Sequence, residues 1–313
     1  MTQFIAPVPA DQPTFAAFDR CEDIATLEAD IAIIGAPFGM PYPPAALSTD
    51  APDAIRAASQ RYGRFFTHYD IDLGGSILNG ASLRLVDCGN LVGSAETGAE
   101  NHARTEAAIR TIRSRGAVPI VLGGDDSIPI PVMRALDDLS DIEVMHFDAH
   151  MDFRDDRDGV RDGLSSNMRR ASEMAHIRHI SQFGLRGAGS ARVGDAEAAI
   201  VNGNTFYPAR EIKGQGTDSI IARYPEMETA YINFDVDVLD PGIAPGVNSL
   251  AFGGIDYWDA TDLLMATAAR ARIAAATFTE VNPASDAGAV TATVTARLIL
   301  NLIAAMVRSG QFD

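Results

Sequence analysis

The stretch His146-Phe147-Asp148-Ala149-His150-Met151-Asp152 is the clearest signal of a functional site in the sequence. It ends a mostly apolar run, Ile142–Phe147, which is typical of a buried strand. In an extended segment alternate side chains point the same way, so Asp148, His150 and Asp152 can converge on one point. Two carboxylates and an imidazole aimed at one spot suit a divalent metal ion. The competing interpretation of this stretch alone is a polar loop that contains a chance histidine.

Apolar runs and helix-forming segments alternate along the rest of the chain. The predicted strands are 31–35, 83–86, 117–122, 142–147, 180–184, 230–234 and 274–279. The predicted helices are 53–61, 100–115, 131–139, 168–173, a segment around 219–222, 257–272 and 289–306. This alternation predicts an α/β fold with a mostly parallel sheet. We expect one domain over residues 1–313, with 1–28 as an N-terminal arm on the surface or on a neighbouring subunit.

Composition narrows the class of protein and its partners. Hydrophobic residues make up 47% of the 313 residues and charged residues 21%, which is ordinary for a globular protein. The net charge of −17 disfavours nucleic acid and anionic membranes as partners and suits a cationic substrate. Only two cysteines, Cys21 and Cys88, occur in unrelated contexts, and no signal peptide is indicated, so we expect a cytoplasmic setting. No apolar run approaches the roughly 20 residues that span a bilayer.

Polar residues follow several of the predicted strands. They are Asp125-Asp126, Asp235-Val236-Asp237 and Glu280. Ligands bind at the carboxyl ends of the strands in such sheets, so these groups should meet the opening stretch there. Five carboxylates and one imidazole would suffice for two divalent ions, and without cations the carboxylates would raise one another's pKa values. The sequence therefore predicts a two-metal site.

Three motifs in this order carry a family resemblance that covers most of the chain. Gly123-Gly124-Asp125-Asp126-Ser127 resembles a Gly-Gly-Asp-His-Ser segment, and the opening stretch fits D-A-H-x-D. The segment Asp235-Val236-Asp237-Val238-Leu239-Asp240-Pro241 fits D-x-D-x-x-D-P. With Gly35-Ala36-Pro37-Phe38 before them and Glu280-Val281-Asn282-Pro283-Ala284-Ser285-Asp286 after them, the chain resembles the ureohydrolases, which include arginases, agmatinases and guanidinobutyrases. The agmatinase/guanidinobutyrase branch is the expected one.

The resemblance implies a three-layer αβα fold that holds two divalent metal ions, Mn(II) by default and Ni(II) as the alternative. It also implies which residues would bind each of the two ions. Asp148 and Asp235 would bridge the ions, Asp126 and Asp152 would complete one, and His150 and Asp237 the other. A homo-oligomer, a trimer or a hexamer, is implied as well.

The implied reaction is the hydrolysis of a small guanidine compound, such as agmatine or 4-guanidinobutyrate, to urea and an amine. A hydroxide between the ions would attack the guanidinium carbon. Asp152 would orient this hydroxide, and Glu280 would hold the guanidinium by paired hydrogen bonds. These two residues are the predicted catalytic residues.

The sequence departs from the family pattern in several places. Asp126 stands where a metal-binding histidine is usual, so it is either a ligand or a structural hydrogen-bonding residue. Segment 162–170 lacks the usual proton-transfer histidine. The segments 245–250 and 38–44 also differ, the latter with Met40 and Tyr42. We expect the other histidines to be surface or packed residues; they are His68, His102, His146, His176 and His179.

These departures keep other functions open. One is the hydrolysis of guanidine itself or of an alkylated guanidine or biguanide, with an altered metal preference. Another is a degenerate, noncatalytic subunit of a ureohydrolase complex. A third is a deacylase, because deacetylases resemble this fold and use a related Asp/His metal site. The paired carboxylates and Glu280 favour amidine hydrolysis.

Overall fold

A ten-stranded sheet forms the centre of the protein in the computed structural model, which describes residues 4–40, 42, 50–93 and 98–313. The strands are β1 Ile5–Ala6, β2 Asp19–Arg20, β3 Ile31–Ala36, β4 Leu85–Leu91, β5 Val118–Gly123, β6 Ile142–Phe147, β7 Ile177–Phe183, β8 Thr205–Tyr207, β9 Thr229–Asp235 and β10 Arg272–Thr279. Their order is β1-β4-β3-β5-β10-β9-β6-β7-β8, with β2 beside β4. β1 runs antiparallel to β4, and the other pairings between described strands are parallel. The predicted mostly parallel sheet is confirmed.

Helices cover both faces of this sheet. They are α1 Ala51–Gly63, α2 Gly98–Ser114, α3 Pro129–Arg134, α4 Asn167–Ala171, α5 Val193–Val201, α6 Ala209–Gln215, α7 Thr217–Ile221, α8 Tyr257–Arg270 and α9 Val290–Arg308. Each face of the sheet has its own hydrophobic core, and alternate residues of a strand pack into different cores. In β6, Met145 and Phe147 pack with α1, α8 and α9, whereas Ile142 and Val144 pack with α2, α3 and α4. The predicted three-layer αβα arrangement is confirmed.

The carboxyl ends of four neighbouring strands carry the motifs. β5, β10, β9 and β6 lie side by side in this order. They end next to Asp125-Asp126, Glu280, Asp235 and Asp148 respectively. Parallel strands end at the same edge, so the topology brings together groups that are more than 150 residues apart in sequence.

Several predicted elements have different bounds in the structure. β4 continues through Asp87 to Leu91, whereas the prediction ended at residue 86. The buried Asp87 is tolerated within the strand because Arg56 donates to both of its oxygens, at 2.9 and 3.0 Å. The helix predicted at 131–139 is the shorter α3, and α5, β8 and α6 were not predicted. These elements are short, so their sequence periodicity is weak.

Residues 4–28, predicted to be part of an arm, pack against the chain's own sheet. Ile5 pairs with Leu91, Asp19 pairs with Val86, and Phe15 is fully buried. The same packing brings the buried Cys21 beside the buried Cys88, because Cys21 N donates to the carbonyl oxygen of Asp87 at 3.0 Å. The two cysteines that looked unrelated in the sequence are therefore neighbours.

Within the residues that the structure describes, one helical segment, Ala287–Arg308, is long and apolar enough to cross a membrane. The prediction that no apolar run approaches this length is therefore wrong. About 72% of its most apolar window is buried inside the protein. Because its apolar side chains pack in the core with α1 and α8, the segment has the burial of a core helix.

An aromatic ladder lies directly beneath the carboxyl edge of the sheet. The rings of Phe278, Phe234, Phe147, Phe183 and Tyr207 follow one another across five neighbouring strands. Successive ring centroids are 5.3, 5.4, 4.9 and 4.6 Å apart. Such contacts add to the free energy of burial and fix the relative height of the strand ends.

Phe234→Ala should lower the free energy of unfolding by about 3–5 kcal/mol, because it leaves a cavity within this ladder. Urea denaturation followed by circular dichroism measures the change. Phe252→Ala is the matched control, since this side chain is 81% exposed, and it should change stability by less than about 0.5 kcal/mol. Equal effects of the two substitutions would contradict a contribution of the aromatic ladder to stability.

Candidate metal centre

The end of β6 supplies the first residues of the site. His146 and Asp148 continue the series of Ile142 and Val144, so they lie on the sheet face that α2, α3 and α4 cover. Beyond the strand, Asp152 adopts a left-handed backbone conformation with φ of 46°. Its carbonyl oxygen accepts hydrogen bonds from the backbone N–H groups of Met168 and Arg169. The start of α4 thus holds the turn that directs Asp152 back to the site.

Two sets of side chains can each offer converging ligand atoms. In each set, one ligand atom from every member lies within 4.8 Å of the others. The first set consists of Asp126, His146, Asp148 and Asp152, and the second of Asp148, His150 and Asp237. Asp148 belongs to both. The geometry therefore describes two adjoining sites that share one carboxylate.

Asp235 lies beside these sets but belongs to neither of them within the described part of the chain. It lines the same cavity and is buried. Its Oδ1 accepts a hydrogen bond from the backbone N–H of Asp237 at 2.8 Å, which fixes the turn after β9. The predicted bridging role of Asp235 stays a prediction.

Burial and mutual repulsion perturb the acidic groups strongly. Burial raises the pKa of Asp235 well above its usual value, and the charges of Asp237 and Asp148 raise it further. The pKa of Asp152 is also raised well above its usual value, first by burial and then by Asp148 and Asp126. A nearby positive charge would therefore stabilise the ionised form of both carboxylates.

The same acidic groups favour the protonated form of His150. Its Nδ1 lies 3.1 Å from Asp237 Oδ2 and 3.3 Å from Asp148 Oδ1. Although burial lowers it, these contacts raise the pKa of His150 to about 12. The acidic neighbours thus favour positive charge at the place where the second set of ligand atoms converges.

Two buried atoms of the first set have no hydrogen-bond partner within the described residues. They are His146 Nε2 and Asp148 Oδ2, which lie 2.9 Å apart, a distance suited to an ion pair, but are not aligned for a hydrogen bond with each other. Buried polar atoms are nearly always paired, so two unpaired atoms at one point indicate a missing partner. Carboxylate oxygens and imidazole nitrogens are the donors that divalent ions such as Mn(II) take. The residues present therefore fit a binuclear divalent metal centre.

Neutral donors surround Asp126, the residue that departs from the family pattern. Its Oδ1 accepts from Thr279 Oγ1, and its Oδ2 accepts from the side-chain amides of Asn167 and Asn233. Despite these hydrogen bonds, burial raises the pKa of Asp126. The donors fix the carboxylate in one orientation, with Oδ2 3.9 Å from His146 Nε2.

A cavity of about 810 Å³ opens beside the two sets, and Glu280 lies in its wall. Glu280 Oε1 accepts from the backbone N–H of Asp126 at 2.9 Å, and its Oε2 accepts from Asn248 Nδ2 at 2.8 Å. Asn282 Nδ2 in turn donates to Asn248 Oδ1 at 2.8 Å. Burial raises the pKa of Glu280 to about 8, and Asp125 and Asp126 contribute to the shift. A buried carboxylate with a raised pKa suits a cationic ligand.

The loops that differ from the family pattern line this cavity or support its wall. Leu164 lines the cavity in the segment that lacks a histidine, and Asn248 supports Glu280 from segment 245–250. Tyr42 is buried, and its hydroxyl accepts from Ser165 N and Oγ. Met40 N donates to Ser127 Oγ at 2.8 Å. Of the prolines in segment 38–44, Pro41, Pro43 and Pro44 lie outside the described residues.

Sequence reasoning missed His146 and the amides around Asp126. His146 was expected to be a surface or packed residue, and it is packed, but inside the first set. The alternation rule applied to Asp148 and His150 would have found it, because His146 lies two residues before Asp148 on the same strand face. Asn233 likewise precedes Asp235 by two residues. Asn167 and Thr279 carry no such signal.

Comparison with known proteins agrees with this fold. A model of the arginase family matches residues 29–305. An agmatinase of Proteus mirabilis is 27% identical over 284 residues, which cover 88% of this chain and 87% of the relative.

Solved structures are also similar to this chain. Proclavaminate amidino hydrolase from Streptomyces clavuligerus superposes with a TM-score of 0.85 at 24% identity, covering 96% of this chain and all of that one. Agmatine ureohydrolase of Thermoplasma volcanium gives a TM-score of 0.76 at 24% identity, covering 93% of this chain and 95% of that one. The predicted assignment to the ureohydrolases, and so to the hydrolases, is confirmed: the chain belongs to the arginase family.

Proposed function

We propose that the protein is a binuclear metal-dependent amidinohydrolase that converts a small guanidine compound to urea and an amine. One observation carries the proposal: two buried sets of ligand atoms share Asp148 next to a cavity that Glu280 lines. A shared carboxylate holds two ions close together, as hydrolysis by paired metals requires. The similarity to an agmatinase supports the same class of substrate.

The structure adds His146 of the first set to the proposed metal ligands. The six that the sequence predicts are Asp126, Asp148, His150, Asp152, Asp235 and Asp237. Five of the six are oxygen donors, which favours a hard ion such as Mn(II) over Ni(II). When bound, the two ions would lower the pKa of a coordinated water and so supply a nucleophile near neutral pH.

The chain's own residues would then orient the nucleophile and the substrate. Asp152 lines the cavity, and its carboxylate would accept a hydrogen bond from the attacking water. Each oxygen of Glu280 is fixed by one donor, from Asp126 N and from Asn248, and keeps a lone pair for the substrate. A carboxylate held in this way can bind a guanidinium by two parallel hydrogen bonds. We propose Asp152 and Glu280 as the catalytic residues.

The finer parts of the proposal concern substrate, assembly and domain limits. Agmatine and 4-guanidinobutyrate are the leading substrates. A cytoplasmic homotrimer or homohexamer stays a prediction from the sequence, as does one domain over residues 1–313 with an N-terminal arm.

Loading the protein with Mn(II) or Ni(II) should give about two ions per chain and urea release from a small guanidine. Metal analysis by mass spectrometry and a colorimetric urea assay measure the two quantities. Absence of urea from every guanidine at full metal loading would refute the enzyme and favour a noncatalytic subunit.

Asp148→Asn should lower urea release at least about 100-fold and reduce the metal content, because it removes the charge shared by both sets. The control is Asp138→Asn, which alters an exposed carboxylate paired with Arg113 outside the cavity. It should behave as wild type. Unchanged turnover and metal content in Asp148→Asn would rule out the proposed centre.

Metal ions should stabilise the protein more at about pH 8 than at about pH 5.5. Burial raises the folded-state pKa values of Asp152, Asp235 and Glu280, the last to about 8. Ionisation of a group with a raised pKa destabilises the fold, so stability present at low pH is lost as pH rises through the folded value. Bound cations offset this loss, whereas protons compete with them at low pH.

Thermal melting with and without Mn(II) at the two pH values tests this expectation. In the wild type, Mn(II) should raise the melting temperature more at the higher pH than at the lower. This difference between the two pH values should be smaller in Asp152→Asn and unchanged in Asp138→Asn. Equal shifts at both pH values in the wild type would contradict it.

A further inference from the structure

Arg154 is buried in the cavity wall, and it lacks an acidic partner among the described residues. Its exposed fraction is only 9%, and it lines the cavity together with Asp152 and Glu280. Nη1 donates a long hydrogen bond of 3.3 Å to the carbonyl oxygen of Ser190, and Nε is buried without an acceptor among the described residues. No described carboxylate lies within 4.0 Å of this guanidinium, although the sequence has 42 acidic residues.

Nearby arginines are paired in a way that Arg154 is not. Arg170 is also buried and its Nε also lacks an acceptor among the described residues, but its Nη2 contacts Asp155 at 2.7 Å and Glu173 at 3.0 Å. Arg157 stacks over the ring of Tyr42 at 4.5 Å. A buried charge without a partner is unfavourable, so the pairing of its neighbours makes the exception informative.

The metal ligands do not remove this requirement. Five ligand carboxylates against two divalent ions leave one net negative charge, and its field reaches Arg154 only over a distance. A field does not satisfy the buried Nε–H, which needs an acceptor in direct contact. The cavity is the side from which an acceptor can arrive, and for a guanidinium the best-matched acceptor is a carboxylate.

We propose that Arg154 binds an anionic group at the far end of the substrate, so that the enzyme prefers guanidino carboxylic acids to agmatine. This inference rests on the proposed function, in which Glu280 holds the guanidinium end. 4-Guanidinobutyrate has a carboxylate where agmatine has an ammonium group, and that ammonium would face Arg154 and Arg157 in the same cavity. Like charges in a desolvated pocket repel, so the two substrates should be clearly discriminated.

Asp125 is the competing charged group in the cavity wall. It lines the cavity, and its Oδ2 is buried without a partner among the described residues. Its Oδ1 accepts from Ser127 N, Ser127 Oγ and Met40 N, and burial raises the pKa of Asp125 to about 6. Asp125 Oδ1 thus already has three donors, whereas the Nε–H of Arg154 has no acceptor among the described residues, and this difference favours an anionic group beside Arg154.

Three compounds of similar length test the proposal on the metal-loaded, full-length protein: 4-guanidinobutyrate, neutral butylguanidine and agmatine. We expect kcat/KM to be at least about tenfold higher for 4-guanidinobutyrate than for agmatine. In Arg154→Gln, the ratio of kcat/KM for 4-guanidinobutyrate over butylguanidine should fall at least about tenfold, mainly through KM. Arg154→Lys should restore part of this ratio.

Arg169→Gln is the matched control, because Arg169 lies outside the cavity lining and contacts Glu173. It should keep the wild-type ratio. An unchanged ratio in Arg154→Gln, or a wild-type preference for agmatine, would overturn the proposal. If Arg154→Gln does not fold, the wild-type preference and the Arg154→Lys ratio decide by the same criteria.

A failure of the proposed function can be told apart from a failure of this inference. If no compound yields urea, titration calorimetry still compares how 4-guanidinobutyrate and agmatine bind to the metal-loaded protein. Tighter binding of 4-guanidinobutyrate that is lost in Arg154→Gln supports the role of Arg154 without turnover. Equal binding of both compounds, or binding that Arg154→Gln does not weaken, overturns it.

Discussion

Mutual repulsion among buried carboxylates is the constraint on which the rest of this structure depends. Asp126, Asp148, Asp152, Asp235 and Asp237 are all buried at one edge of the sheet. Removing one charge from water is costly, and the charges repel more strongly in the low dielectric of the interior. Histidines and neutral amides offset part of this cost, and cations would offset the remainder. The site is therefore built to hold positive charge, whether metal ions or a guanidinium.

Such a cluster needs a scaffold that cannot relax away from it. Four adjacent parallel strands supply the ends, and their backbone hydrogen bonds prevent the carboxylates from spreading apart. On the opposite face, the aromatic ladder from Phe278 to Tyr207 packs the same strands at the same height. The stability of the core thus opposes the repulsion at the edge, as expected for a functional site in a rigid framework.

The sequence was enough to predict the parts of this arrangement that repeat locally. The alternation of strands and helices predicts the layers, and polar residues after apolar runs predict the edge at which Asp148, Asp237 and Glu280 meet. It could not predict contacts that depend on tertiary packing. Thr279 and Asn167 approach Asp126 from distant elements, and Arg154 is notable for a missing partner, which appears only once all its neighbours are placed.

The surroundings of Asp126 explain how a carboxylate can stand where the family has an imidazole. A histidine would bring one nitrogen to the site, whereas Asp126 brings an extra negative charge that needs hydrogen-bond donors. Thr279 and the amides of Asn167 and Asn233 supply these donors without adding positive charge. Neutral donors lower the cost of the buried carboxylate yet leave its charge to attract a cation. The three donors around Asp126 therefore suit a carboxylate that is to hold a cation.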